Sequence, residues 1–194
     1  MSDASAFLVL GFRHILAPDA LDHILFLLVL VAPYRMADWR HLLGVTTAFT
    51  AGHSITLVLA VTGVLRLPTG LIEFLIPVTI VLAGFENFRR LGVAPQGYVR
   101  PVVAAGFGLV HGAGFANVLR ELFGGATALP LLSFNAGIEL GQVAVLAAVL
   151  LTFAAIDRAL ITVVIRHPRG LRAGAASALA GMWAIVMAAQ RLPW

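Results

Sequence analysis

The sequence predicts an all-α membrane protein: a polytopic bundle of six transmembrane helices in a single domain over residues 1–194. Composition is the first observation behind this class, because 60% of the residues are hydrophobic and only 11% are charged, with a mean hydropathy of +0.98. Soluble domains carry about 25% charged residues. The second observation is the length of the apolar runs, each of which is long enough for a helix that crosses a bilayer, since such a helix needs roughly 20 residues.

Six apolar runs mark the predicted helices. They cover residues 7–32, 42–65, 69–88, 99–122, 129–156 and 173–189. The first helix is predicted to break near Pro18, because proline lacks an N–H and its ring clashes with the carbonyl four residues back, at His14. Ala17 is expected to leave helical geometry because it precedes the proline. Broken helices line cavities and often mark ion sites in transporters, although a kink without a ligand is the alternative.

The basic residues indicate topology. All 13 are arginines, and nine of them lie in the loops after the first, third and fifth runs, against four on the other side. Cytoplasmic loops carry the arginine excess, so we expect a multi-pass protein of a bacterial inner membrane with both termini outside. The excess therefore predicts no nucleic-acid partner. The chain has no cysteine, which excludes disulfides and thiolate metal sites.

Ionisable residues inside the apolar runs are the candidates for function, because a charge at the bilayer centre costs about 2.5–3.5 kcal/mol on insertion scales. Three histidines fall near the predicted midplane on separate helices. The candidate metal ligands are His14, Asp19, Asp22, His23, His53, His111 and Glu139. The candidates for orienting these ligands are Ser54, Glu86, Asn87 and Asn135.

Imidazole is a ligand for nickel, zinc, copper and iron, and the absence of cysteine argues against copper(I). Other interpretations stay open at this point. Buried histidines with nearby carboxylates also form proton relays. Glu86 can pair with Arg90 four residues on, and Glu139 can be satisfied by Asn135 or Gln142.

Five stretches resemble the HupE/UreJ family of hydrogenase and urease accessory membrane proteins. They are GFRHILAPDALDHILFLL at 11–28, TAFTAGHSITL at 47–57, FENFRR at 85–90, FGLVHGAGFANVLREL at 107–122 and FNAGIELGQ at 134–142. The resemblance implies handling of nickel or a similar divalent cation. It carries the polar positions of the family onto His14, Asp22, His23, His53, Glu86, His111, Asn135 and Glu139. A looser likeness to nickel/cobalt transporters lies in Arg13-His14, Asp22-His23 and Gly52-His53-Ser54.

These observations lead to three hypotheses. The first is a permease, not an enzyme, whose substrate is a divalent transition-metal ion: nickel by resemblance, with zinc or cobalt as alternatives. Asp19 would attract cations at the outer mouth. The second is an intramembrane zinc-dependent hydrolase, because three histidines with an open fourth position form a catalytic zinc site. The third is a non-transporting membrane partner in metalloenzyme maturation. The sequence leaves these three, and the oligomeric state, open.

Overall fold

The computed structural model describes residues 3–90, 93–115, 119, 128–162 and 168–193. Over these residues the protein is all helical, with 87% helix and no strands. The helices are α1 (Asp3–Leu16), α2 (Leu21–Val31), α3 (Trp39–Val61), α4 (Thr69–Arg90), α5 (Val99–Gly114), α6 (Ala128–Thr162) and α7 (Pro168–Gln190). The predicted all-α polytopic bundle is confirmed.

Four of the described helices, α3, α4, α6 and α7, are long and apolar enough to cross a membrane, and α1 with α2 makes a fifth span if the bent pair counts as one. The predicted helix over 99–122 appears as α5, whose described part has 16 residues. Most of the remainder of that run lies outside the described residues. The helices α6 and α7 extend beyond the predicted runs 129–156 and 173–189, because backbone hydrogen bonding continues through the charged residues that flank an apolar run.

The predicted break of the first helix is confirmed. Helix α1 ends at Leu16, and Ala17 is extended with φ −65° and ψ 140°. Pro18 then opens a 3₁₀ turn that leads into α2. The two helices are bent by 69° relative to each other. The break places the last turn of α1 against the first turn of α2.

Helices α3 and α5 form a close parallel pair. A Cβ on Gly108 would overlap the carbonyl oxygen of Phe49, and a Cβ on Gly112 would overlap that of His53. The residue numbers of the two contacts increase together, from Phe49 with Gly108 to His53 with Gly112, so the two helices run in the same direction. The glycines four residues apart allow this approach, as their small-residue spacing predicts. Backbone contact thus fixes α5 against the turn that carries His53.

Helices α1 and α6 form a second parallel pair of the same kind. A Cβ on Gly137 would overlap the carbonyl oxygen of Leu8, and one on Gly141 would lie 2.9 Å from the Cβ of Ile15. The third pair, α4 with α7, is antiparallel, because Gly84 meets Ser177 while Gly70 meets Pro193. The helix α2 lies among α4, α6 and α7. Its buried face includes Phe26 and Val29, both fully buried.

Candidate metal centre

Three histidines from three helices converge on one point. His14 lies in the last turn of α1, His23 in the first turn of α2 and His53 in α3. One nitrogen of each ring lies within 4.8 Å of the other two. The ring centroids are 4.7 Å apart for His14 and His23, 6.2 Å for His14 and His53, and 6.4 Å for His23 and His53. We call these three residues the histidine cluster.

Each ring of the histidine cluster has at least one buried nitrogen without a hydrogen-bond partner in the described part of the chain. Among the described residues, no partner meets the Nε2 atoms of His14 and His23 or either ring nitrogen of His53. A buried polar atom left unsatisfied costs about 1–3 kcal/mol. A metal ion that accepts one lone pair from each ring would give all three rings a partner, and imidazole nitrogens are donors that bind transition metals well.

Asp22 holds the ring of His23 in one tautomer. Its Oδ1 accepts a hydrogen bond from the backbone N–H of His23 at 2.9 Å and lies 2.9 Å from Nδ1 of the same residue. An ionised carboxylate only accepts hydrogen bonds, so Nδ1 carries the proton and the lone pair is on Nε2. Nε2 is the nitrogen that has no partner. A carboxylate bonded to the second ring nitrogen is the usual arrangement for a metal-binding histidine.

His111 lies beside the histidine cluster, with its ring centroid 5.4 Å from that of His23. The Thr79 hydroxyl is 2.7 Å from the carbonyl oxygen of Ile76 and 2.9 Å from Nε2 of His111. The carbonyl only accepts, so it takes the hydroxyl proton, and Nε2 of His111 must donate to Thr79. The free lone pair of His111 is therefore on Nδ1, which is buried without a partner among the described residues.

A cavity of about 450 Å³ adjoins the histidine cluster. Its lining includes His14, Asp22, His23, Glu73, His111 and Arg191. Glu73 is exposed at its rim. The cavity opens where α4 begins and α7 ends, and we call this the cavity end of the bundle. His53 is 1% exposed and is not among the lining residues, so it lies behind the cavity wall.

Glu139 lies outside the histidine cluster in this structure. Its carboxyl group lies near the side chains of Thr47 and Thr50 of α3. Thr50 also lies 3.1 Å from the Oε1 atom of Gln142. Thr50 precedes His53 by about one helical turn, so Glu139 lies beyond the cluster when viewed from the cavity.

Glu86 and Asn87 lie near the opposite end of α4, and the structure does not bring them to the histidines. They contact the guanidinium of Arg100, at 3.3 Å from Glu86 and 3.0 Å from Asn87. Arg100 is 2% exposed and also donates to the carbonyl oxygen of Leu30 at 3.2 Å. Asn87 follows Thr79 by eight residues, which is about 12 Å along a helix. This arginine network holds the C-terminal end of α2. We call the end of the bundle that contains Arg100 the arginine end.

The other predicted positions have separate places. Ser54 donates to the carbonyl oxygen of Thr50 at 2.7 Å, a bond within α3. Asn135 has a buried Oδ1 with no partner among the described residues. Asp19 lies in the 3₁₀ turn after Ala17, and its side chain lies outside what the structure describes.

Sequence reasoning missed two residues at this site, Thr79 and Arg191. Thr79 is a threonine in an apolar run two residues after Pro77, which is a weak signal because hydroxyls commonly bond to their own helix backbone. In the sequence, Arg191 follows the last apolar run and looks like one of the arginines that only indicate membrane topology. Its guanidinium lies 3.5 Å from the carboxylate of Asp22. Asp22 and Arg191 are far apart in the sequence, so this ion pair could not be predicted from it.

Comparison with known proteins supplies the family. A family model described as HupE / UreJ protein matches residues 1–191. Searches of curated proteins and of solved structures gave no match. The matched range includes every member of the histidine cluster together with Asp22, His111 and Arg191. The chain therefore belongs to the HupE/UreJ family.

Proposed function

We propose that this protein binds a divalent transition-metal ion at the histidine cluster and carries it across the membrane as its substrate. The observation that carries the proposal is the convergence of three imidazoles from α1, α2 and α3, of which His23 and His53 are buried and His14 is half-buried, with one nitrogen of each ring within 4.8 Å of the other two. The HupE/UreJ family, which implies a nickel or cobalt transporter or an accessory membrane protein, supports this substrate class.

The broken first helix supports movement of the ion over static storage. His14 and His23 lie on opposite sides of the extended residue Ala17, so a rotation about this residue would separate two of the three imidazoles. Discontinuous helices form the ion sites of many transporters for this reason. A site that captures an ion for transport must also release it.

The distribution of polar groups gives the proposed path. The cavity gives access to the cluster from the cavity end. Beyond His53, Thr50, Gln142 and Glu139 continue the polar groups between α3 and α6. The buried Arg100 closes the arginine end. Because the arginine-rich loops lie at that end, it would face the cytoplasm, and the ion would enter from outside.

Nickel is the proposed ion, with zinc and cobalt as alternatives. Imidazole donors bind all three, and affinity follows the Irving–Williams order regardless of which ion the protein handles in the cell. The proposal of nickel over zinc or cobalt therefore rests on the family, not on the donor atoms. A bacterial inner membrane with both termini outside is the proposed location, since residues of α1 and the residue that follows α7 line the cavity.

Ion flux into liposomes that hold the purified protein tests the proposal. We expect saturable nickel flux that exceeds manganese flux, because manganese prefers oxygen ligands. His53→Ala should abolish the flux. His41→Ala is the matched control, because His41 lies in the first turns of the same helix, α3, outside the histidine cluster. Equal flux in wild type and His53→Ala would refute transport through this site.

Two other outcomes favour the alternatives. One tightly held zinc per chain without flux would favour a zinc-dependent hydrolase with the cavity as its active site. Neither flux nor bound metal would favour the accessory role as a partner in metalloenzyme maturation.

A further inference from the structure

One guanidinium reaches the cavity from the end of the chain. Arg191 follows directly after α7, and its Nη1 lies 3.5 Å from Oδ2 of Asp22. The Arg191 side chain is 31% exposed and the Asp22 side chain is 12% exposed. The two atoms of the pair thus meet at the boundary between the cavity and the protein interior.

The carboxylate of Asp22 links this arginine to the histidine cluster. Its Oδ1 is bonded to the backbone and ring of His23, whereas its Oδ2 faces Arg191. The guanidinium therefore occupies the one carboxylate oxygen that the ring of His23 does not use. That oxygen is also the one that would attract a divalent cation entering the cavity.

The charge of Arg191 opposes the entry of such a cation. The other charged side chains that line the cavity, among the described residues, are Arg13 and Glu73. Their charges cancel, so the Asp22–Arg191 pair decides the local balance. Counting only the described lining residues, a free Asp22 carboxylate would leave the cavity net negative, and the Arg191 guanidinium makes that sum neutral.

We propose that Arg191 is a tethered counter-cation that competes with the metal ion for Asp22. Its guanidinium neutralises the carboxylate when the site holds no metal, and an arriving metal ion displaces it into the cavity mouth. The competition lowers the affinity of the histidine cluster, which eases release of the ion. This inference rests on the proposed function, because it concerns the regulation of the same site.

The inference is tested by titrating nickel into the purified protein in detergent and measuring the heat of binding by calorimetry. We expect Arg191→Gln to bind nickel roughly tenfold more tightly than wild type, which corresponds to about 1.4 kcal/mol. The reason is the loss of one repulsion between a unit charge and a double charge across a hydrated cavity. Arg191→Lys retains the charge, so its affinity should stay within about twofold of wild type, well below that tenfold step.

Arg66→Gln is the matched control for net charge. Arg66 is exposed in the loop between α3 and α4, at the cavity end, and it does not line the cavity. Its substitution removes the same charge from the same end of the bundle and should leave nickel affinity unchanged.

The outcomes separate this inference from the proposed function. Equal or weaker binding by Arg191→Gln overturns the inference, because Arg191 would then hold Asp22 in place or have no effect. An equal gain in Arg66→Gln overturns it too, since surface charge would explain the result. Absence of nickel binding by wild type would reject the proposed function itself.

Discussion

Substitution of Gly112 by alanine tests whether backbone contact between α3 and α5 holds the metal centre in place. The added methyl group would lie 2.9 Å from both the carbonyl carbon and the Cα of His53, and it would overlap the carbonyl oxygen. Optimal separation of two carbon atoms is about 3.5–4.0 Å. The helices must therefore move apart by at least about 0.6 Å, because a backbone has no side-chain rotation with which to yield.

The energetic consequence follows from two opposing terms. Overpacking of this kind costs about 1–3 kcal/mol, and close contact with three backbone atoms of His53 places Gly112→Ala at the upper end. Replacement of a helical glycine by alanine stabilises the helix by up to about 1 kcal/mol. The net expectation is a loss of about 2 kcal/mol in the free energy of unfolding. Because ligand geometry tolerates displacements of only about 0.5 Å, nickel affinity should fall as well.

Unfolding in mixed micelles with increasing SDS, together with a nickel titration, measures both effects. Gly106→Ala is the matched control on the same helix, because a Cβ there meets nothing within 4 Å. It should be as stable as wild type or more stable, with unchanged nickel affinity. The reasoning is refuted if Gly112→Ala matches Gly106→Ala in both measurements.

Three further substitutions test separate parts of the site. Thr79→Val removes the acceptor that holds His111 in its tautomer, and nickel affinity measured by titration should fall if His111 binds the ion. Asp22→Asn removes the carboxylate that orients His23; loss of such a supporting group typically lowers affinity about 10–100-fold, so unchanged affinity would contradict this role. Asn87→Leu leaves the buried arginine short of an acceptor and should lower the free energy of unfolding by about 1–3 kcal/mol. The folded fraction of that variant should bind nickel as wild type does, because the histidine cluster is distant.

The broken first helix was predictable because the constraint is local. A proline acts on the residue before it and on the carbonyl four residues back, whatever surrounds the chain. The observed end of α1 at Leu16 and the extended Ala17 confirm this reasoning. The bend of 69° depends on the neighbouring helices and was not predictable.

The position of Glu139 relative to His53 could not be predicted from the sequence. Glu139 and His53 both lie well inside their apolar runs, so depth alone suggested a shared site. In the structure, Glu139 lies near Thr47 and Thr50 of α3, and Thr50 is about one turn beyond His53. Depth along a span follows from residue number at about 1.5 Å per residue, whereas the rotation of a helix that is apolar on most sides depends on its contacts.

The sequence alone determined that this protein is a polytopic helix bundle, that its first helix breaks at Pro18, and that histidines lie inside its spans. These properties follow from composition, run length and local backbone sterics. Only the tertiary structure decided that His14, His23 and His53 meet, that Thr79 holds His111, and that Arg191 reaches Asp22. Such contacts join residues on different helices, and close approach at glycine, not position along the chain, sets which helix faces meet.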